Sequence, residues 1–358
     1  MTDLWTYLRN TDKAIALYGG GNGADKILDK LIADGSASKV ASVFASDGFV
    51  RSGKFRGFTV ESYSSAKERL GDMIVLVCFG SARPDVLRNI ERIASENELY
   101  IPDVPVYGDN IFDMDFYKEH EAEILTVKNR LADELSVRTC EKMIEYKLTG
   151  SLKALRLCET EADEADGLFD LPDKSVFVDL GAYTGDTVRR YLELFPQIDE
   201  IYAVEPDSRN YRKLCENCKE FQAGRKMELI RAMTGDRVGE VMMPRNRGRG
   251  VSIDARAASV SGNMGNMDIV PEITIDSLLK GGKADFIKFD IEGSEAKAIE
   301  GARETIIRYK PQMLISCYHR SEDIFDLPLR IFDIRDDYRL YMRHLPCVPG
   351  WDTAFYLI

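Results

Sequence analysis

The chain has 358 residues and carries 60 acidic against 48 basic side chains, a formal net charge of -12. At that length two folding units are the default, at about 100–200 residues each. The acidic balance excludes a general binder of phosphate backbones or anionic membranes, which are held mainly by surplus Lys and Arg.

The N-terminal MTDLWTYLRNTDK is too charged for a secretory leader, and no apolar run approaches the roughly 18 residues of a membrane span. Seven cysteines make no disulfide framework in a chain this long, so the expectation is a reduced, cytoplasmic protein. Cys215 and Cys218 stand as C-x-x-C, but in a helix-like segment with no second pair. That predicts a packed helix face rather than a metal or redox site.

Residues 13–23, KAIALYGGGNG, read as a strand entering a glycine turn, and ADKILDKLIADG reads as the amphipathic helix that follows. VASVFASDG, GFTVESY and DMIVLVCFGS supply further strands with helical segments between and after them, so the first ~105 residues form a doubly wound α/β unit. Gly19, Gly20, Gly21 and Gly23 could cradle a phosphate. The simpler expectation is that they let the first helix pack onto its strand, leaving a scaffold or subunit-contact unit through which the chain would form a homo-oligomer. PDVPVYGDNIF then leaves this unit in extended form, and residues 113–150 have helical spacing through Ile124, Val127, Leu131, Leu135 and Val137. One or two connecting helices are expected.

The most informative stretch is VFVDLGAYTGDT at 176–187. A buried strand closes on Asp179 and enters a loop of Gly181, Ala182, Tyr183, Thr184 and Gly185, where glycines admit close backbone approach. The string is not G-x-G-x-x-G, and a carboxylate beside the loop would repel a pyrophosphate and attract a cation. A second strand ends in VEPD, placing Glu205, Pro206 and Asp207 at its tip, 26 residues after Asp179. That acid suits a ribose diol. A ligand with an ammonium, a sulfonium and a ribose fits, and S-adenosyl-L-methionine is such a ligand. Residues 245–267, rich in Gly, Ser, Asn and Arg without periodicity, read as a long active-site loop, with Arg245, Arg247, Arg249 and Arg256 available to an anionic group on the acceptor. ADFIKFDIEG is a further strand, carrying Asp290 and Glu292 at its carboxyl end.

FVDLGAYTGDT, VEPD, ITIDSLL at 273–279 and FIKFDIEGSEAKAIEGA at 286–302 together resemble the FkbM-type class I S-adenosylmethionine-dependent methyltransferases. MLISCYHRSED, YRLYMRH and the closing TAFYLI resemble one branch of that family. The N-terminal segment DGFVRSGKFRGFTV is similar to small Rossmann-like domains that precede some sugar-modifying transferases.

The resemblance implies an α/β fold: a class I methyltransferase sheet at 173–358, a Rossmann-like unit at 1–108 and a helical connector at 109–172. It implies O-methylation of a hydroxyl on a sugar, glycan or secondary metabolite and does not require a metal, although Asp290, Glu292 and another carboxylate could hold a hard cation; the acidic balance speaks against a nucleic-acid or membrane partner. Asp179, Gly181, Ala182, Tyr183, Gly185, Glu205, Pro206, Asp207 and Asp290 would bind the donor. Asp290 and Glu292 would lie beside the acceptor. Read from the residues themselves, His319 after a further strand either serves as a neutral imidazole base or anchors its loop by hydrogen bonding, with Tyr318 and Glu295 as lesser candidates for the base. Two other readings compete: a non-catalytic nucleotide-binding scaffold, and an NAD-dependent oxidoreductase using the N-terminal glycine loop.

Overall fold

The computed structural model describes residues 2–50, 53–222, 224–244 and 267–358. Its first sheet contains β1 (Ile15–Tyr18), β2 (Val40–Ala45), β3 (Lys54–Phe55), β4 (Phe58–Ser62), β5 (Ile74–Val77) and β6 (Glu98–Tyr100), in the order β3-β4-β2-β1-β5-β6. Every pairing is parallel except the β3–β4 hairpin, a turn that the sequence reading left undivided. β1 and β5 are buried along their whole length, as central parallel strands covered on both faces must be. The glycine turn follows β1. A Cβ on Gly23 would lie 2.3 Å from the Cys78 carbonyl oxygen, and one on Gly19 would lie 2.9 Å from the Phe79 ring. Those two glycines therefore have packing reasons of their own.

The second half of the chain supplies β7 (Ser175–Leu180), β8 (Ile198–Val204), β9 (Lys226–Ile230), β10 (Met233–Thr234), β11 (Gly239–Pro244), β12 (Met267–Ile273), β13 (Phe286–Phe289), β14 (Gln312–Ser316), β15 (Leu340–His344) and β16 (Thr353–Leu357). Seven of these make a sheet ordered β15-β16-β14-β13-β7-β8-β9, with β16 antiparallel between β14 and β15 and the remaining neighbours parallel. β10, β12 and β11 form a small separate sheet. The chain enters the large sheet at its middle, winds outward through β8 and β9, then returns to the other side of β7 as β13. That reversal opens a crevice at the carboxyl ends of β7 and β13, where doubly wound sheets bind their ligands.

Between the sheets run five connecting helices among the described residues: Met114–Glu119, Glu121–Lys128, Glu134–Thr149, Leu152–Arg156 and Ala162–Asp166. The one or two expected are thus interrupted. Asp133 caps the third by accepting the Ser136 amide at 2.7 Å, and Ala132 gives its amide to the Leu340 carbonyl of β15. An N-cap carboxylate satisfies free amides and starts a new helix there.

Cys140, Met143 and Tyr146 of that helix join Tyr18 and Phe44 of the first sheet and Val178, Ile287 and Phe289 of the second in one apolar core. The units also meet directly. Ser81 and Val348 exchange backbone hydrogen bonds at 2.7 and 3.1 Å, and Gly80 lies against the Trp351 ring so closely that a Cβ there would be 2.1 Å from it. No helix among the described residues is long and apolar enough to cross a membrane. All seven cysteines are free. Cys218 is buried on the helix side as expected, while Cys215 is half-buried.

Candidate active site

The first wall of the crevice is the β7 loop. Gly181 has φ +78°, and a Cβ on it would sit 1.9 Å from the Asp290 carbonyl oxygen. Only glycine lets the ends of β7 and β13 come so close. The amides of Gly181 and Ala182 both donate to the Val204 carbonyl of β8 at 3.0 Å. Gly185, at φ +87°, precedes the helix Asp186–Leu194 and packs on Cys218. Sequence reasoning gave Gly181 and Gly185 to close ligand approach. The structure gives each a packing partner within the protein, and it buries Ala182 completely with its amide already used.

Glu205 ties this loop to the next. Its two oxygens accept the Tyr183 amide at 3.0 Å and the Asp207 amide at 2.9 Å. Burial pushes its carboxyl up to about 7 against the pull of those two amides. Tyr183 is held at φ +48°, an uncommon conformation for a non-glycine residue. Asp207 accepts the amides of Arg209 and Asn210, both at 2.9 Å, and so caps the helix Ser208–Asn217. Pro206 is half-buried between them.

The floor is a line of charge. Asp179 is fully buried, and neither carboxylate oxygen has a hydrogen-bond partner. Its nearest countercharge is the Lys288 ammonium at 3.6 Å, beyond hydrogen-bond length. Burial lifts the Asp179 carboxyl to about 6, with Lys288 opposing. The same ammonium lies 3.3 Å from Asp290, whose other oxygen accepts the Tyr318 hydroxyl at 3.1 Å and faces His319 Nε2 at 3.5 Å. Burial would raise the Asp290 carboxyl, but Lys288 and His319 hold it below the usual carboxylate range. Burial and the Asp290 charge push the Tyr318 phenol well above its ordinary value, so it remains a donor. Sequence reasoning missed Lys288. The available signal was a lone lysine inside FIKF, a strand buried at every position.

Glu292 stands beyond Asp290 at φ +54°, with 44% of its side chain exposed. Backbone strain of this kind concentrates at ligand sites. Gly293, at φ +92°, lets the loop pass under Tyr107, whose Cβ would be 2.7 Å from an added methyl. Arg320 fixes the crossing. It donates to the Gly293 carbonyl at 2.8 Å and lies over the Tyr107 ring at 3.9 Å. The proline-rich segment after the first unit thus braces the loop that carries Asp290 and Glu292.

The surroundings of His319 weigh against the expected neutral imidazole. The imidazole is 1% exposed and has carboxylates on both nitrogens, Glu295 at 2.9 Å from Nδ1 and Asp290 at 3.5 Å from Nε2, with Glu292 at 4.0 Å. Burial alone would favour the neutral ring, but the three carboxylates outweigh it and raise its pKa to about 10. The carboxylates at both ring nitrogens favour the protonated form, which weighs against a neutral base. His344 is buried on the edge strand β15 and paired with Thr353 at 2.9 Å. The four arginines expected on the active-site loop lie outside the described residues.

Residues 179–343 match the methyltransferase FkbM domain family. The curated 2-O-methyltransferase NoeI of Sinorhizobium fredii (strain NBRC 101917 / NGR234) is 26% identical over 215 residues, covering 54% of this chain and 81% of that protein. The crystal structure of the methyltransferase FkbM from Methylobacillus flagellatus KT superposes with a TM-score of 0.72 at 21% identity, covering 99% of this chain and 92% of that one. At that identity the likeness establishes the fold, and it extends through both sheets.

Proposed function

From the match of residues 179–343 to the methyltransferase FkbM domain family, we propose that the chain moves a methyl group from S-adenosylmethionine to a hydroxyl oxygen of a sugar, glycan or secondary metabolite. The observation that carries the donor assignment is the pair of buried carboxylates at neighbouring strand ends. Asp179 has both oxygens without a hydrogen-bond partner, and Glu205 is turned toward the same loop. A buried carboxylate left unpartnered is costly unless a ligand completes it. An amino acid ammonium suits Asp179 and a ribose diol suits Glu205, so the residues present fit this donor. The donor supplies an electrophilic methyl on a sulfonium. The hydroxyl acceptor is supported by the relative's name, a 2-O-methyltransferase.

In this reading Asp179 binds the ammonium, Glu205 binds the ribose, and Gly181, Ala182, Tyr183 and Gly185 give the loop its shape, with Pro206 and Asp207 as the adjoining wall. Asp290, fixed by Lys288, Tyr318 and His319, orients the reacting groups, which matters because an in-line displacement depends on alignment. Glu292, the more open carboxylate, takes the hydroxyl proton. The enzyme works in the cytoplasm on a small-molecule or glycan acceptor. Residues 1–108, 109–172 and 173–358 serve as subunit-contact unit, connector and catalytic unit.

Calorimetric titration with S-adenosylhomocysteine tests the donor site. The wild type should bind and Asp179→Asn should not; equal binding by both would sink the assignment. The diol prefers ionised Glu205, whose pKa is raised to about 7. Affinity should therefore hold above pH 7 and fall by about tenfold per unit below it, and Glu205→Gln should remove that slope. Glu292→Gln should keep donor affinity while slowing turnover about a hundredfold, read by labelled-methyl transfer across a panel of hydroxylated sugars. Unchanged turnover would take the base role from Glu292.

A further inference from the structure

His319 is buried between the Asp290 and Glu292 carboxylates on one side and a second acidic group on the other. Glu295 opens the helix Glu295–Glu300 and is 1% exposed. Its Oε1 contacts His319 Nδ1 at 2.9 Å and also accepts the Ile291 amide at 2.8 Å. One oxygen thus holds the imidazole from behind and the backbone of the Asp290–Gly293 loop from below. The far nitrogen of the same ring faces Asp290 and Glu292.

We propose that Glu295 is a positioning residue, which fixes His319 as an imidazolium aimed at Asp290 and through it sets the geometry of the Asp290–Gly293 loop. The inference rests on the reading that this loop borders the reacting groups.

The groups facing the ring are Glu295 from its helix, Asp290 and Glu292 from the β13 loop, Asp323 from the helix Asp323–Ile334, and Tyr318, whose ring is 4.2 Å away. Burial and the Glu295 charge raise the Asp323 carboxyl above its ordinary value, and it accepts the Arg320 amide at 2.7 Å. Buried charge is costly unless it is paired, and Glu295 and Asp290 flank the ring at its two nitrogens. Ligand-type atoms of Glu295, His319 and Asp323 all lie within 4.8 Å of one another, so a bound cation is the competing explanation for the cluster.

The chain has three histidines, so ring-nitrogen NMR of the full chain labelled with 15N-histidine resolves them, with His319→Gln giving the assignment. The expected result is an imidazolium spectrum for His319 through pH 8. In Glu295→Gln, which keeps an acceptor for the Ile291 amide and removes only the charge, the ring should titrate at least about one unit lower. In the same variant, affinity for S-adenosylhomocysteine should fall about tenfold as the Asp290–Gly293 loop loses its support, with cooperative unfolding retained. A neutral His319 in the wild type at pH 8, an unshifted titration in the variant, or one equivalent of divalent metal by elemental analysis would overturn the proposal. Should Glu295→Gln fail to fold, the wild-type spectrum and Glu295→Asp decide the charge state. The ring spectra need no donor, so failure of donor binding in the wild type counts against the donor assignment and leaves the charge state of His319 to be read independently.

Discussion

Lys288→Met should remove about 3–5 kcal/mol of stability at pH 8, measured by urea unfolding. The lysine is 7% exposed and lies between Asp179 at 3.6 Å and Asp290 at 3.3 Å. Methionine fills similar space but leaves a fully buried carboxylate without its countercharge. The deficit should shrink as pH falls. The folded-state pKa of Asp179 is already raised to about 6 from 3.8, so its favourable contribution is present below the unfolded value and is lost as pH rises through about 6. Removing Lys288 raises that folded pKa further. At pH 5 the variant can protonate Asp179 and recover much of the loss. Adding Asp179→Asn to Lys288→Met should restore part of the stability at pH 8, since two residues in contact are not additive. An equal deficit at pH 5 and pH 8 would mean that Lys288 matters by packing and not by charge.

Gly181→Ala should cost about 2–5 kcal/mol, the sum of a left-handed backbone penalty and overpacking against an atom that cannot rotate away. The added methyl would meet the Asp290 carbonyl at 1.9 Å. Either β7 and β13 separate or the loop after β13 moves, and both displace Asp290. A thermal melt should show a lowered midpoint, and whatever folded protein remains should lose affinity for S-adenosylhomocysteine. Gly21→Ala is the control, because a Cβ there meets nothing within 4 Å. If the two alanine variants melt alike, the close approach of β7 and β13 is not what fixes Gly181.

Much of the architecture was legible because its signals are local. FVDL, IYAV and FIKF are apolar runs of strand length, and each closes on a carboxylate or a turn residue. Asp179, Glu205, Asp290 and Glu292 could be singled out because they interrupt such patterns at strand ends. The connector was read too simply. Leu131, Leu135 and Val137 continue the helical spacing, but Leu131 forms an isolated bridge to Leu340, and the chain restarts as a helix only after Asp133. That tertiary pairing overrides the local period.

The sequence by itself determined the class of fold, the succession of strands and turns, and which carboxylates stand at strand ends. All of these follow from periodicity and from side-chain chemistry within about ten residues. Only the tertiary structure decided what those groups do electrically. The pKa of His319 is raised because Glu295, 24 residues earlier, and Asp290 lie at its two nitrogens. Asp179 stays partly ionised at neutral pH although fully buried because Lys288, 109 residues later, shares its pocket. Gly181 is glycine because β13 returns beside β7 and brings the Asp290 carbonyl against it. Ionisation depends on burial and on which charges lie within a few ångströms, and a chain folded as a sheet with a reversed winding brings together residues that no local pattern connects.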